Sequence, residues 1–248
     1  MIHGSAIMIN FRKLKWNPAW MTLLFVFFFV FAAIFPVSAW YYFSAKNGQR
    51  MQWVFGSSCN PNARGSGIPV YKDNDLPATF NANVAAVIAD WNAPVTTPIF
   101  NTTVTTYSQN MSPTIVTNFL NNPVPGQIWI VWDSDGTVLN SLGQDSTGGL
   151  LGIGIPLTIS ASRPQDICSG ILILNALNIN SSTTLFQKTL LHEIGHVLGF
   201  AHSISGGNLQ FIVSSAANLP VMYPFAYSTS PILLQNDEKA GARTVYGP

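Results

Sequence analysis

Charged side chains are scarce in this chain, where Asp, Glu, Lys and Arg together make up 8% of 248 residues. Three of the basic residues, Arg12, Lys13 and Lys15, stand close to the N-terminus. From residue 40 onward, 8 basic side chains remain against 10 acidic ones, which gives that part of the chain a net charge of −2. Because no basic field is present to attract nucleic acid, we expect no nucleic-acid partner.

Cysteine is rarer still, since the chain contains only Cys59 and Cys168. Two cysteines fit one disulfide bond in an oxidising compartment. A pair of free buried thiols and a regulatory thiol are the other interpretations. The remaining composition is rich in Asn, Ser, Thr, Gly and Pro, which suits an extracellular protein with many strands and turns.

Histidine is also sparse: apart from His3, the chain has three histidines, all in residues 190–202, L-L-H-E-I-G-H-V-L-G-F-A-H. After residue 40 the chain has only two glutamates, and one of them, Glu193, lies in this stretch. His192 and His196 are four residues apart, so on a helix both imidazoles project from one face and can reach one metal ion.

The residues that follow can complete a metal site. Gly199 lacks the Cβ that penalises a positive φ, so the chain can leave the helix through a left-handed turn and bring His202 round as a third nitrogen ligand. Three protein ligands and one open position are typical of catalytic zinc, and Glu193 can hold a water there without being a ligand. The alternative interpretation is a set of hydrogen-bonded core histidines.

The first 39 residues follow the plan of an export signal: a basic stretch, an apolar run at residues 21–35, and then Pro36-Val37-Ser38-Ala39. Val37 and Ala39 form the small-residue pattern that signal peptidases accept, which predicts Trp40 as the first mature residue. The alternative is an uncleaved anchor, because residues 20–39 can just span a bilayer. Both interpretations place the rest of the chain outside the cell.

Beyond a lead-in segment at residues 40–67, periodicity predicts one α+β domain over residues 68–248. We predict strands at residues 68–71, 99–107, 127–132, 149–156 and 170–175. A first helix at residues 79–91 is expected to bury Phe80, Val84, Val87, Ile88 and Trp91. In the helix that carries His192, the expected core face is Phe186, Leu190, Ile194 and Val197. The N-cap candidates for that helix are Ser181, Ser182 and Thr183, and Asn236 is the candidate for a last helix that begins with Asp237 and Glu238.

The string His192-Glu193-x-x-His196-x-x-Gly199-x-x-His202 is the metzincin signature, and over residues 68–248 the chain resembles that clan of zinc endopeptidases. Within the clan it looks most like the matrixins, because Ser203 follows the third histidine as in that family. Val221-Met222-Tyr223-Pro224 is similar to the matrixin Met-turn, so Met222 would lie beneath the metal site. Residues 236–247 resemble the terminal matrixin helix.

The resemblance implies a metzincin-like single catalytic domain. Its twisted, mostly parallel sheet would have an antiparallel edge strand and pack on two long helices plus a C-terminal helix. It further implies a secreted zinc endopeptidase, in which Glu193 is the general base for attack of water on a peptide bond. A peptide or protein substrate would lie along the edge strand at residues 149–156. The implied substrate-binding residues are Gly149, Leu150, Leu151, Gly152, Pro224 and Tyr227. We expect a monomer, which would touch a membrane only if its N-terminal segment stays uncleaved.

Several details depart from the matrixin pattern or leave alternatives. Cys59 lies in Ser58-Cys59-Asn60-Pro61 and lacks the Pro-Arg-Cys-Gly context of the matrixin cysteine switch. Asp133 and Asp135 resemble part of a calcium loop, which makes Ca²⁺ a second candidate ion, although such a pair is more often a plain turn. Two functions other than proteolysis stay open: a secreted binding or adhesion module with structural zinc, and a zinc hydrolase acting on a non-peptide amide or ester.

Overall fold

The computed structural model describes residues 41–159, 162–203, 220–223 and 232–247 of the chain. The leader or anchor predicted for residues 1–39 lies outside these ranges, as do Pro224 and Tyr227. Within the ranges, no helix combines the length and the apolar character needed to cross a bilayer.

Strands and helices follow one another throughout the described ranges. The strands are β1 (Tyr41–Tyr42), β2 (Gln52–Trp53), β3 (Ile68–Lys72), β4 (Phe100–Thr106), β5 (Ile128–Asp133), β6 (Gly152–Leu157), β7 (Asp166–Ile167), β8 (Ser169–Asn175) and β9 (Phe200–Ala201). The helices are α1 (Asn81–Asn92), α2 (Pro113–Asn121), α3 (Thr137–Ser141), α4 (Ala176–Ile179), α5 (Thr183–Val197) and α6 (Asn236–Tyr246). Short 3₁₀ turns occupy Arg64–Ser66 and Ala78–Phe80.

Five of these strands form one sheet in the order β4-β3-β5-β8-β6. Neighbours among β4, β3, β5 and β8 run parallel, whereas β6 runs antiparallel to β8 at the edge. Parallel neighbours require crossover connections, and α1 and α2 lie in the connections from β3 to β4 and from β4 to β5. The predicted class, α+β with a mostly parallel sheet, is confirmed.

The central strands β5 and β8 are buried along their whole length because helices cover both faces of the sheet. Along β5, Ile128, Ile130 and Trp132 belong to one core together with α1 and α5. The alternate residues Trp129 and Val131 belong to a second core with α2 and α3. Strands covered on both sides present unbroken apolar runs, which is the pattern that residues 127–132 show in the sequence.

Helix α5, which is 15 residues long, contacts both α1 and the sheet strands β6 and β8. Its expected core face, Phe186, Leu190, Ile194 and Val197, is buried. The apolar face predicted for the first helix is buried as well, and the indole Nε1 of Trp91 donates to the carbonyl of Leu191 at 3.2 Å. These contacts fix the position of the helix that carries His192 and His196.

Residues 41–67, the lead-in segment of the sequence, pack on the same compact unit as the site. β1 pairs antiparallel with β9, and β2 pairs parallel with β7. Cys59 and Cys168 form a disulfide bond, the pairing that the sequence predicts. The start of the segment is therefore paired with the strand before His202, and its later part is held by β7 and by the disulfide bond to Cys168.

Candidate metal centre

The backbone around the three histidines follows from local sequence signals. Ser182 is the N-cap of α5, and its Oγ accepts a hydrogen bond from the Leu185 amide at 3.2 Å. The helix ends at Val197, and Gly199 adopts φ = +94°, the left-handed conformation predicted from its lack of a Cβ. The chain then forms β9 and reaches His202.

The turn brings the three imidazoles together. Nε2 of His202 lies 3.2 Å from Nε2 of His192 and 3.2 Å from Nε2 of His196. The three ligand nitrogens all lie within 4.8 Å of one another, so they can hold one metal ion. For comparison, two nitrogens about 2.05 Å from a zinc ion at a tetrahedral angle lie about 3.3 Å apart. The residues present thus fit a tetrahedral metal site.

Backbone carbonyls set the orientation of two of these rings. Nδ1 of His192 lies 2.7 Å from the carbonyl oxygen of Val221, and Nδ1 of His196 lies 2.8 Å from that of Phe200. A carbonyl only accepts, so each Nδ1 must carry the proton and donate it. Both Nε2 atoms are then left with free lone pairs directed at His202, which is the tautomer that a metal ligand needs.

Burial keeps the same rings neutral. It lowers the pKa of His192 to about 3 and that of His196 to about 4, and the neighbouring histidines act in the same direction. Burial also lowers the pKa of His202, which is the most exposed of the three. Metal binding requires neutral imidazole, so at pH 7 no proton has to leave before an ion can bind.

Glu193 lies beside the cluster but is not one of its mutually close ligands. Its side chain is 6% exposed, and it accepts a hydrogen bond from the amide of Gly154. Burial raises the pKa of Glu193 to about 8, while the Gly154 amide acts in the opposite direction. A carboxyl group with a pKa near neutrality can both take up and release a proton at working pH.

The edge strand β6 packs directly against the part of α5 that carries Glu193 and His196. A Cβ on Gly154 would collide with the backbone oxygen of Glu193 and would lie 3.0 Å from Cβ of His196. A Cβ on Gly152 would lie 3.2 Å from Cγ of Glu193. Only glycine permits this approach, and it brings the sheet edge alongside the histidines.

The outer side of β6 is unpaired within the described residues. The Asn175 amide donates to the carbonyl of Leu151 at 2.8 Å, so residue 151 faces β8. Since backbone groups alternate in direction along a strand, those of Gly152, Gly154 and Pro156 face outward. Proline lacks an amide hydrogen and is tolerated on an unpaired edge for that reason.

Four of the six residues predicted to bind substrate, those at 149–152, lie at the start of this edge, and the other two are outside the described ranges. Gly149 is exposed and has φ = +85°, whereas Leu150 and Leu151 are half-buried and Gly152 is the first residue of β6. The carbonyl of Leu150 accepts hydrogen bonds from Nδ2 of Asn175 and from Nδ2 of Asn178, both at 2.8 Å. Of these residues, the structure brings Gly152 next to Glu193, whereas the Leu150 carbonyl is occupied by Asn175 and Asn178.

Met222 is fully buried beneath α5. A Cβ on Gly195 would collide with Sδ of Met222, which places the thioether against the helix between Glu193 and His196. The carbonyl of Met222 accepts from the Ser203 amide at 2.9 Å. Met222 thus contacts both the helix of the first two histidines and the residue that follows the third.

The two aspartates considered for calcium are engaged by neighbouring backbone. The carboxylate of Asp133 accepts from the amides of Val138 and Leu139 at the start of α3. Asp135 accepts from the amide and the hydroxyl of Thr137. Among the described residues, the histidine cluster is the one group of three potential ligands that lie this close together, and neither aspartate belongs to it.

Two contributors to the site escape sequence reasoning. Glu238 accepts a hydrogen bond from the Met222 amide, and the ring of Phe43 lies against that of His196 with 5.5 Å between the ring centroids. The scarcity of glutamate marks Glu238 in the sequence, but nothing there indicates its partner. Phe43 lies in a segment without periodicity, so no local signal could connect it to His196.

Comparison with protein-family models and with curated proteins finds no match to this chain. What the site does must therefore be inferred from its own chemistry. That chemistry consists of three neutral imidazoles able to hold one metal ion, one buried carboxyl group beside them, and an unpaired strand edge alongside.

Proposed function

We propose that the protein is a secreted zinc-dependent endopeptidase of the metzincin type, most similar to the matrixins. The observation that carries the proposal is the convergence of His192, His196 and His202 Nε2 atoms next to the buried carboxyl group of Glu193. Three ligands leave a position for substrate, whereas structural zinc is usually closed by four.

Zinc is the ion that this donor set suits best. Imidazole nitrogens are borderline-soft ligands that zinc accepts in tetrahedral sites, and Ca²⁺ and Mg²⁺ prefer oxygen. When bound, Zn²⁺ supplies a Lewis acid that polarises a carbonyl group and acidifies water. His192, His196 and His202 would hold it, with two of the rings already oriented by backbone carbonyls.

Glu193 is the residue proposed to move the proton. Its carboxyl group is shielded from bulk water and fixed by the Gly154 amide, so it is oriented before substrate arrives. In the proposed reaction Glu193 takes a proton from the attacking water and delivers it to the leaving amine nitrogen. A cation on the three histidines would lower the pKa of Glu193 and favour the ionised form that acts as base.

The free edge of β6 supports a peptide rather than a small molecule as substrate. An extended peptide can add to the sheet as another strand through main-chain hydrogen bonds, and Gly152 and Gly154 leave room for its close approach. The Gly154 amide is engaged by Glu193, so the outward groups available for pairing are the backbone of Gly152 and the carbonyls of Gly154 and Pro156. Binding of this kind depends more on the backbone of the substrate peptide than on its side chains.

Export is part of the proposal. The disulfide between Cys59 and Cys168 fits an oxidising compartment, and the leader predicted at residues 1–39 fits secretion. Should the leader stay uncleaved, the enzyme would be anchored with its site outside the cell.

The test is cleavage of unfolded casein by the mature protein, untreated, after zinc chelation, and after zinc is returned. We expect cleavage that stops with the chelator and recovers with zinc. A folded, zinc-loaded protein that leaves casein and a peptide library intact would contradict the proposal. Cleavage that is indifferent to chelation would contradict the role of the metal.

A further inference from the structure

Three successive carbonyl groups at the end of α5 are capped by groups from distant parts of the chain. The last carbonyls of a helix have no partner within the helix and need one from elsewhere. Here the acceptors are the carbonyls of residues 197, 198 and 199. Their donors are Trp53 Nε1 for Val197 at 2.9 Å, the Tyr246 hydroxyl for Leu198 at 2.8 Å, and the Phe43 amide for Gly199 at 2.9 Å.

The next two residues, Phe200 and Ala201, connect this turn to His202. The carbonyl of Phe200 accepts from Nδ1 of His196, and Ala201 is paired with Tyr41 in the β1–β9 ladder. The next residue is His202. The carbonyls of residues 197–200 are therefore each held either by a residue from a distant part of the chain or by a ligand histidine.

Residues 42–53 approach this turn closely, in addition to their hydrogen bonds with it. A Cβ on Gly199 would collide with the carbonyl oxygen of Met51, so glycine at this position serves the packing of the segment in addition to its own turn. The ring of Phe43 covers that of His196, and the ring of Tyr42 lies 5.5 Å from that of Phe200. The segment thus contacts the turn that joins the second and third histidines.

Tyr246 links α6 to the segment that contains Trp53 at the same place. It is buried, and besides donating to Leu198 it accepts a hydrogen bond from the backbone of Trp53. The side chain of Trp53 is also buried, at 3% exposure. Water can replace the Trp53 or the Tyr246 donor only if this part of the core opens.

We infer that Trp53, Tyr246 and the backbone of Phe43 are positioning groups for the metal site, an inference that rests on the proposed function. They fix the turn at residues 197–201 and thereby set the distance of His202 from His192 and His196. Metal affinity then depends on the docking of residues 42–53, which we name the N-terminal clamp. Groups that orient ligands typically contribute about 10- to 100-fold to metal affinity.

The test uses Trp53→Phe and Tyr246→Phe, each of which removes the donor and keeps an aromatic ring; Tyr246→Phe also removes the acceptor of the Trp53 backbone bond. Trp129→Phe is the matched control. Trp129 is also buried, lies in the second core away from α5, and its indole N–H has no partner among the described residues. For each protein, competition titration gives the zinc dissociation constant, the visible spectrum of bound Co²⁺ reports the ligand arrangement, and circular dichroism gives the melting temperature.

We expect Trp53→Phe and Tyr246→Phe to bind zinc about tenfold more weakly and to shift the Co²⁺ spectrum, at a temperature where both are folded. Trp129→Phe should melt earlier yet keep the wild-type affinity and spectrum. Wild-type affinity and spectrum in both test variants would overturn the inference while leaving the metal site intact. A folded wild-type protein that binds neither ion would overturn the proposed function and the inference with it.

Discussion

Glu238 on the last helix accepts a hydrogen bond from the backbone amide of Met222 through Oε1, at 3.1 Å. Its other oxygen, Oε2, accepts from the Gln235 amide at 3.1 Å. The residue before Met222, Val221, accepts in turn from His192. One fully buried carboxyl group therefore fixes the short segment that orients the first histidine.

This arrangement predicts an unusual dependence of stability on pH. Burial and the adjacent Asp237 carboxyl group raise the pKa of Glu238 to about 8. Folded protein then keeps a proton that the unfolded chain releases above about pH 4.5, so stability falls as pH rises toward 8. Burial also raises the pKa of Glu193, which makes stability fall over the same pH range. The lowered pKa values of His192 and His196 affect stability only below about pH 6.5.

We therefore expect the metal-free protein to lose stability between pH 6.5 and 8, with Glu238 and Glu193 as the two contributing groups. Asp237→Asn removes the neighbouring charge, so the pKa of Glu238 should be raised less and the decrease in stability should be smaller. The Glu193 contribution is unchanged, so part of the decrease should remain. Urea unfolding at pH 6.5 and pH 8 measures both proteins. An equal decrease in the two would show that Asp237 does not influence Glu238.

Glu193→Gln should separate metal binding from catalysis. The amide oxygen of glutamine can still accept from Gly154, so we expect wild-type folding and zinc content. Removal of the general base should lower the rate of casein cleavage by about 10²- to 10⁴-fold. Asp75→Asn, which neutralises an exposed carboxylate elsewhere, is the matched control and should cleave normally. A fully active Glu193→Gln would eliminate Glu193 as the base.

His202→Ala should release the metal without unfolding the chain. His202 is the most exposed of the three ligands, so its truncation leaves little cavity. Zinc at 100 times its dissociation constant stabilises a folded protein by about 2.7 kcal/mol, and the variant should lose this gain. Thermal melting with and without zinc, together with elemental analysis, measures the effect. Full zinc occupancy in the variant would exclude His202 as a ligand.

Gly154→Ala should disturb the junction between β6 and α5. The added methyl group meets the backbone of Glu193, which cannot move without shifting His196, so we expect a loss of about 1–3 kcal/mol and weaker cleavage. Gly65→Ala is the control, because Gly65 is exposed and nothing lies within 4 Å of its added Cβ. Equal urea midpoints for the two variants would contradict the close packing of β6 on α5.

The features of this site that depend on neighbouring residues can be predicted from the sequence. The spacing of His192 and His196 and the glycine at 199 each act within one helix or one turn, so their geometry follows from neighbouring residues. The same holds for Ser182, which caps α5 as one of the predicted candidates. The core face of α1 also follows from its period alone.

The remaining features arise from contacts between residues that are distant in the sequence, or from signals that were missed. β1 and β9 have two residues each, too few to show any period, so the sequence does not indicate their pairing. Helix α2 was not predicted, although Ser112 and Pro113 carry the start signal that the structure uses. The prediction of Asn236 as a cap was wrong by one residue: Gln235 is the N-cap, because its amide pairs with the Glu238 side chain.

For the endopeptidase proposed above, the N-terminal clamp bears on self-digestion. A peptide bond is cut in an extended segment free of other partners, whereas residues 42–53 hold the end of α5 through Trp53 and the Phe43 amide. A copy in which this segment is open to attack has already lost the groups that orient its own histidines. Cleavage there by a neighbouring copy would therefore remove inactive molecules first and spare intact ones.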